Sequence, residues 1–229
     1  MRTFPCRHVR RVFVLPVVMI LAALTFATLK AEAGETTFAF PAEIDPHGRY
    51  LFFLHNYYVE MFGTGGECKY DDILKSLQKT GAFVISEVRS GHVIPSEYAR
   101  IVSSQVEKLI AAGVAPKNIT VSGHSKGGVI ALCVAAQLQR PDIGYVIMAG
   151  CGISSLSGAY PLQNRIRGNY LSLLANSDTV AGSCDTLRLR MDEGASYKEI
   201  VLESDFGHRL FFEPRDIWLA PVIAWINKR

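Results

Sequence analysis

The chain is expected to fold as a three-layer αβα sandwich around a mostly parallel central sheet of six to eight strands. Three observations predict this. Short, continuous apolar runs such as Tyr50–Leu54 recur along the chain, as strands buried on both faces require. Amphipathic stretches separate them, giving repeated strand–helix units. One strand-like run also passes through a glycine-rich turn directly into an apolar helical stretch. There is no internal repeat, no low-complexity tract and no Pro- or Ser-rich linker after residue 34. With 49% hydrophobic and 20% charged residues, residues 34–229 are expected to form a single domain.

The elements follow in order. Thr36–Phe40 is a candidate first edge strand, and Tyr50–Leu54 a buried one. Asp71–Lys79 has helical spacing, with Ile73, Leu74 and Leu77 on one side, and Gly81 ends it. Ala82–Val88 is β-rich. Ser96, after Pro95, is expected to cap a helix whose apolar stripe is Ile101, Val102, Val106, Leu109 and Ile110, closed by Gly113. Asn118–Ser122 is a strand, and Gly127–Gln139 a helix apolar nearly all round and hence buried. Ile143–Ala149, Tyr170–Ala175 and Ile200–Leu202 are further strands. Pro214–Asn227 is a last helix, with Trp218, Leu219, Val222, Ile223 and Ile226 inward.

The first 33 residues differ in kind. Arg2, Arg7, Arg10 and Arg11 precede an apolar run from Val12 to Leu29, and Ala31-Glu32-Ala33 supplies small residues at a cleavage site. This is the pattern of a secretory signal peptide cleaved after Ala33; an uncleaved anchor is the alternative for a run of this length. Cys6 lacks a lipobox setting. The segment holds five Lys/Arg and one Glu, so of 24 basic and 21 acidic residues the remainder keeps 19 and 20. The whole-chain charge of +3 is thus an export signature, and no basic face for nucleic acid is implied. A secreted or periplasmic location is expected, with no membrane association after cleavage.

Four cysteines follow the signal: Cys68, Cys133, Cys151 and Cys184. Export permits disulfides, and four cysteines allow three full pairings. Cys133 lies in an apolar helical run and is expected as a buried thiol. Cys151 and Cys184 each follow a predicted strand, where they are able to meet at one sheet edge. No C-x-x-C or H-x-x-x-H spacing points to a metal.

The chemistry-bearing signal is Gly123-His124-Ser125-Lys126-Gly127, between a β-branched run and the apolar helix. A serine on such a sharp turn stands above the sheet, and glycines two before and two after it avoid collision with strand and helix. Ser125 is the candidate nucleophile. The backbone N–H of Lys126 is a candidate oxyanion donor at the helix N-terminus, with its ammonium expected in solvent. A serine nucleophile needs a base, and the base an orienting acid, here expected in the order Ser, acid, His. Asp178, just past the Tyr170–Ala175 run, is the candidate acid, with Asp185 its local rival. His208 follows the Ile200–Leu202 run and is the one histidine after Asp178, so it is the candidate base. The second oxyanion donor is expected in Leu54-His55-Asn56-Tyr57, from the amide of Asn56 or Tyr57. His55 is expected as a structural residue or a wall of that loop ahead of a second base; it and Arg89 and His92, which follow the Ala82–Val88 run and are otherwise solvated loop residues, are candidate substrate contacts. His124 is expected to point away and pack.

With Gly123-His-Ser125-Lys-Gly127, then Asp178, then Gly207-His208, the chain over roughly residues 48–228 resembles the α/β-hydrolase family. The resemblance implies an eight-stranded, mostly parallel sheet, a Ser-His-Asp triad and no metal or organic cofactor. It implies hydrolysis of a small acyl compound, first a carboxylic ester, through an acyl-serine; peptidase or acyltransferase chemistry with the same triad, and a non-catalytic binding protein, are the alternatives. Two departures stand out. About twenty residues occupy the usual cap position, too few for a lid domain, so an open, shallow pocket is expected. The early loop reads His55-Asn56 in place of a His-Gly-Gly run, and one or two first strands are expected to be missing.

Overall fold

The structure, a computed structural model, describes Met1 and residues 38–89, 91–160 and 165–229. The expected signal segment, Met1 apart, lies outside the described residues. No helix among the described residues is long and apolar enough to cross a membrane.

Six strands form one sheet in the order β2-β1-β3-β4-β5-β6, every neighbouring pair parallel. They are β1 (Tyr50–Leu54), β2 (Phe83–Ile85), β3 (Ile119–His124), β4 (Gly144–Met148), β5 (Asn169–Ala175) and β6 (Ser196–Leu202). The central strands β1, β3 and β4 are buried at every residue, which is why they read as unbroken apolar runs. The helices are α1 (Tyr57–Phe62), α2 (Tyr70–Leu77), α3 (Pro95–Ala111), α4 (Lys126–Leu138) and α5 (Asp216–Asn227). On one face Ile73, Leu74 and Leu77 of α2 and Trp218, Leu219 and Val222 of α5 pack on Leu51, Phe53 and Leu171. On the other, Val102, Val106 and Leu109 of α3 and most of α4 cover Phe52, Val121 and Ile147. Each fully buried Leu, Ile or Phe contributes roughly 1.5–3 kcal/mol, so these two apolar layers hold the sandwich together.

Several expectations are corrected. Phe38–Phe40, the described part of the expected edge strand, is not a strand; Phe38 only accepts one backbone hydrogen bond, from Ser86 N–H (2.6 Å). The described sheet therefore has six strands. β3 runs two residues beyond Ser122, which tightens the turn into α4. In α3, Pro95 takes the first helical position and Ile94 the flanking one, so Ser96 lies inside the helix. Its buried face is Ala99, Val102, Ser103, Val106 and Leu109; Ile101, a third of a turn away, is exposed. β6 begins four residues earlier than expected, because an edge strand with alternating exposure is not a continuous apolar run. Helix α1 was not anticipated.

The chain reverses its direction of sheet growth between β1 and β3, with β2 on one side and β4 on the other. Loops leaving the C-terminal ends of such neighbours diverge to opposite faces and open a crevice, where ligands of parallel sheets bind. Ser125 follows β3 and Asn56 follows β1 at that point.

Candidate active site

Ser125 sits between β3 and α4 with φ +56° and ψ −122°, a conformation rare for a side-chain-bearing residue. Its surroundings over-determine it. Its N–H donates to Met148 O (2.9 Å), continuing the ladder to β4, while its carbonyl accepts from Val129 N–H (3.1 Å). A Cβ on Gly123 would collide with the Gly127 carbonyl group, and one on Gly127 with the carbonyl oxygens of Leu54 and His55. Because Leu54 is in register with Gly123 across β1 and β3, the start of α4 is pressed against the end of β1. Glycine alone fits there.

Asp178 follows β5, and its carboxylate Oδ1 accepts from the N–H groups of Val180 (2.8 Å) and Ala181 (2.9 Å). His208 lies in the 3₁₀ turn Gly207–Phe212, after β6. Its Nδ1 is 2.9 Å from Asp178 Oδ2, and its Nε2 is 2.8 Å from Ser125 Oγ. A carboxylate only accepts, so Nδ1 carries the proton and Nε2 is left to accept from the hydroxyl. Burial pushes the Asp178 carboxyl up, but hydrogen bonds from His208, Ala181 and Val180 outweigh it and hold its pKa below the ordinary value. The loops carrying acid and imidazole are stitched together. Gly207 N–H donates to Ser177 Oγ (3.1 Å), Ser177 Oγ donates to Ser204 O, and Ser204 N–H donates to Asn176 Oδ1 (3.0 Å). The three residues expected to act together are thus within hydrogen-bonding distance in sequence. Asp185, the alternative acid, instead ion-pairs on the surface with Arg188 (3.3 Å).

Lys126 opens α4, so its N–H has no intrahelical acceptor. Across the crevice, Asn56 caps α1 by accepting from Val59 N–H (2.9 Å), which leaves Tyr57 as the first helical residue there. A cavity of about 490 Å³ joins these parts, lined by Tyr57, Ser125, Lys126, Ile153, Leu156, Val180 and His208, with Ser155. Asn56 does not line it: its side chain is buried against His124 Nδ1 (3.1 Å) and Cys68 Sγ (3.5 Å). Among the described residues the connection from β4 to β5 holds one 3₁₀ turn, Ser154–Ala159, and no cap.

Three expectations about side chains are overturned here. The Lys126 ammonium is not in solvent. It is 2.6 Å from Glu60 Oε1 in an ion pair whose side chains are 6% and 0% exposed, and lies 5.3 Å from the Tyr57 ring centroid. Arg89 is buried and lines no part of the 490 Å³ cavity; its Nε lies 3.6 Å from Glu60 Oε2, and its Nη2 donates to His55 O. His55 is buried as well, with Nδ1 2.8 Å from Asn56 O and Nε2 accepting from Arg89 N–H (2.7 Å). Both ring nitrogens are thus occupied within the fold. Burial, then the Arg89 charge, hold its pKa down at about 3. His92 is exposed and packs on Tyr57, with Nδ1 3.1 Å from Tyr57 Oη. His124 packs as expected, its ring centroid 5.0 Å from that of His208 and 5.1 Å from Phe211. Burial first, then the nearby His208, push its pKa well below the ordinary range.

The buried Glu60–Lys126–Arg89 group was missed. Its signal was present: Asn56 followed by Tyr-Tyr-Val-Glu60 is a capped helical start. Cys151 and Cys184 are joined by a disulfide, whereas Cys68 and Cys133 are free and buried. Gly182 N–H also donates to Cys151 O (2.8 Å), so the loop that carries Asp178 is tied to the end of β4.

No protein-family model and no curated protein matches the chain. Solved structures do. Arabidopsis thaliana SOBER1 superposes with a TM-score of 0.54 at 14% identity, over 79% of this chain and 98% of that one. A predicted CIB-like hydrolase from Thermoplasma acidophilum gives 0.54 at 16%, over 82% and 90%. An arylesterase gives 0.56 at 13%, over 82% and 78%. At such identities the likeness concerns architecture, and it agrees with the parallel six-stranded sheet and the turn at Ser125: the chain has the α/β-hydrolase fold.

Proposed function

We propose that the protein is a serine hydrolase that cleaves a small carboxylic ester. The observation that carries this is the unbroken chain Ser125 Oγ–His208–Asp178, with contacts of 2.8 and 2.9 Å. A binding protein on this fold has no need of that alignment. Ser125 Oγ attacks the ester carbonyl carbon while its proton passes to His208 Nε2. Asp178 stabilises the imidazolium that forms. The oxyanion is held by the N–H of Lys126 and that of Tyr57, the cavity-lining member of the two donors expected after β1. As the C–O bond breaks, His208 returns the proton to the departing alcohol. Water then attacks the acyl-serine with the same base, releasing the acid and restoring Ser125. The esterases and hydrolases among similar structures support the reaction class. Export to an oxidising compartment is part of the same proposal, supported by residues 1–33 and by the Cys151–Cys184 disulfide.

The test is turnover of p-nitrophenyl acetate. Ser125→Ala and His208→Ala are each expected to lower kcat by orders of magnitude, on the order of 10⁴–10⁶, with an unchanged circular-dichroism spectrum. Wild-type rates in a correctly folded Ser125→Ala protein would refute the proposal.

A further inference from the structure

The larger apolar hollow is not the one beside Ser125. A second cavity, of about 550 Å³, is walled by Leu132 of α4, Cys151, Ile153, Tyr160, Ile166 and Leu187. Ile153, itself buried, lines both cavities, so the two adjoin at this residue. The second cavity is a built feature. Tyr160 Oη closes the 3₁₀ turn on one side, donating to Gly150 O (3.0 Å) and accepting from Ile153 N–H (3.1 Å). On the other side the Cys151–Cys184 disulfide holds the start of the turn that carries Thr186 and Leu187. Of its polar lining, Ser154, Ser157 and Thr186 are exposed and Arg190 is half-buried. The remaining lining is mostly apolar, aliphatic side chains with Tyr160 and the disulfide-bonded Cys151, and the volume is inside the range of small-molecule sites.

We infer that this cavity binds a linear aliphatic chain attached to the ester whose carbonyl is attacked by Ser125, the chain passing Ile153 from the first cavity into the second. This rests on the proposed hydrolase activity and deepens it by naming the substrate class: esters with one medium-length alkyl chain. The same apolar surface would take the chain of the acid or of the alcohol, so both are tested. Each methylene transferred from water to an apolar wall is worth up to about fourfold in kcat/KM, the equivalent of ~0.8 kcal/mol.

Two matched series decide it: p-nitrophenyl acetate to decanoate for the acyl side, and ethyl to decyl acetate for the alcohol side. One series is expected to gain on the order of 10²-fold from four to eight carbons and then level off. Ser157→Trp and Thr186→Trp, both at exposed positions of the cavity lining, are expected to erase that gain while leaving p-nitrophenyl acetate turnover within twofold. Flat series in the wild type would overturn the inference. So would a gain that survives both tryptophans, or acetate and octanoate rates falling together. Should acetate itself not be hydrolysed, the hydrolase proposal fails, and the cavity is still tested by its own readout. Decanoic acid, or decanol, is expected to raise Tm in the wild type and not in the tryptophan variants; no rise with either overturns the inference.

Discussion

At Ser125 the backbone holds φ +56°, which costs a side-chain-bearing residue roughly 1–3 kcal/mol and glycine almost nothing. Two variants separate that strain from the chemistry. Ser125→Ala keeps a Cβ at positive φ, whereas Ser125→Gly does not. Both are expected to be inactive, with the glycine variant more stable by about 1 kcal/mol in urea unfolding; equal stabilities would contradict the strain. Asp178 accepts one hydrogen bond from His208 and two from backbone amides. Asp178→Asn is expected to keep the fold while lowering kcat on the order of 10⁴-fold, the serine-protease precedent for a wrongly held imidazole tautomer. An undiminished rate would show that another group orients His208. At this scale the sequence was most legible. Gly123 and Gly127 have backbone within collision distance, so their necessity is written in the chain. Arg89 was not legible as a buried residue, because its partners Glu60 and Tyr98 come from separated segments.

Among the elements, α1 and α4 meet through charge. Glu60 on α1 faces Lys126, the first residue of α4, and its carboxylate also accepts from Val93 N–H (2.9 Å). Arg89, beyond β2, adds a second cation to the same carboxylate. Burial lowers the Arg89 pKa, and Tyr98 and Glu60 oppose this. Removing the carboxylate leaves two cations without it in the interior. Glu60→Ala is expected to cost roughly 3–5 kcal/mol in urea unfolding; a loss under about 1 kcal/mol, the size of a solvated pair, would contradict the burial. Helix α1 escaped sequence analysis because its six residues bury only Val59 and Glu60, too short a stripe for periodicity to register. In contrast α4 was plain, since it is apolar on nearly all sides. The phase of α3 was misjudged by one residue at Ile101, because Ala99 and Ser103, which do face the core, carry little hydrophobic weight.

For the molecule as a whole, acid should be destabilising, and the sign follows from the buried histidines. His55 folds with a pKa of about 3 against an ordinary 6.5, so between those values the unfolded chain takes up a proton that the folded chain refuses. Stability is then full above pH 6.5 and falls as pH drops toward 3, by about 2 kcal/mol for His55 alone from pH 6.5 to 5. His124, also depressed, acts in the same direction. Asp178 adds a further loss below its ordinary value of 3.8, as pH falls through its lowered pKa. Urea midpoints at pH 7 and pH 5 check this: a marked fall is expected in the wild type and a smaller one in His55→Gln, and equal wild-type midpoints would contradict it. The sheet's parallel order and the location of the crevice were legible because buried strands and a strand–turn–helix junction leave strong local patterns. The second cavity, which shares Ile153 with the one at Ser125, was not, since it arises where the loops after β4 and β5 meet beside α4. The central claim, that Ser125 is activated by His208, is tested most directly by mass-spectrometric mapping of a fluorophosphonate adduct. The adduct is expected on Ser125 in the wild type and is expected to vanish in His208→Ala; label on another residue, or undiminished label on Ser125 without His208, would contradict it.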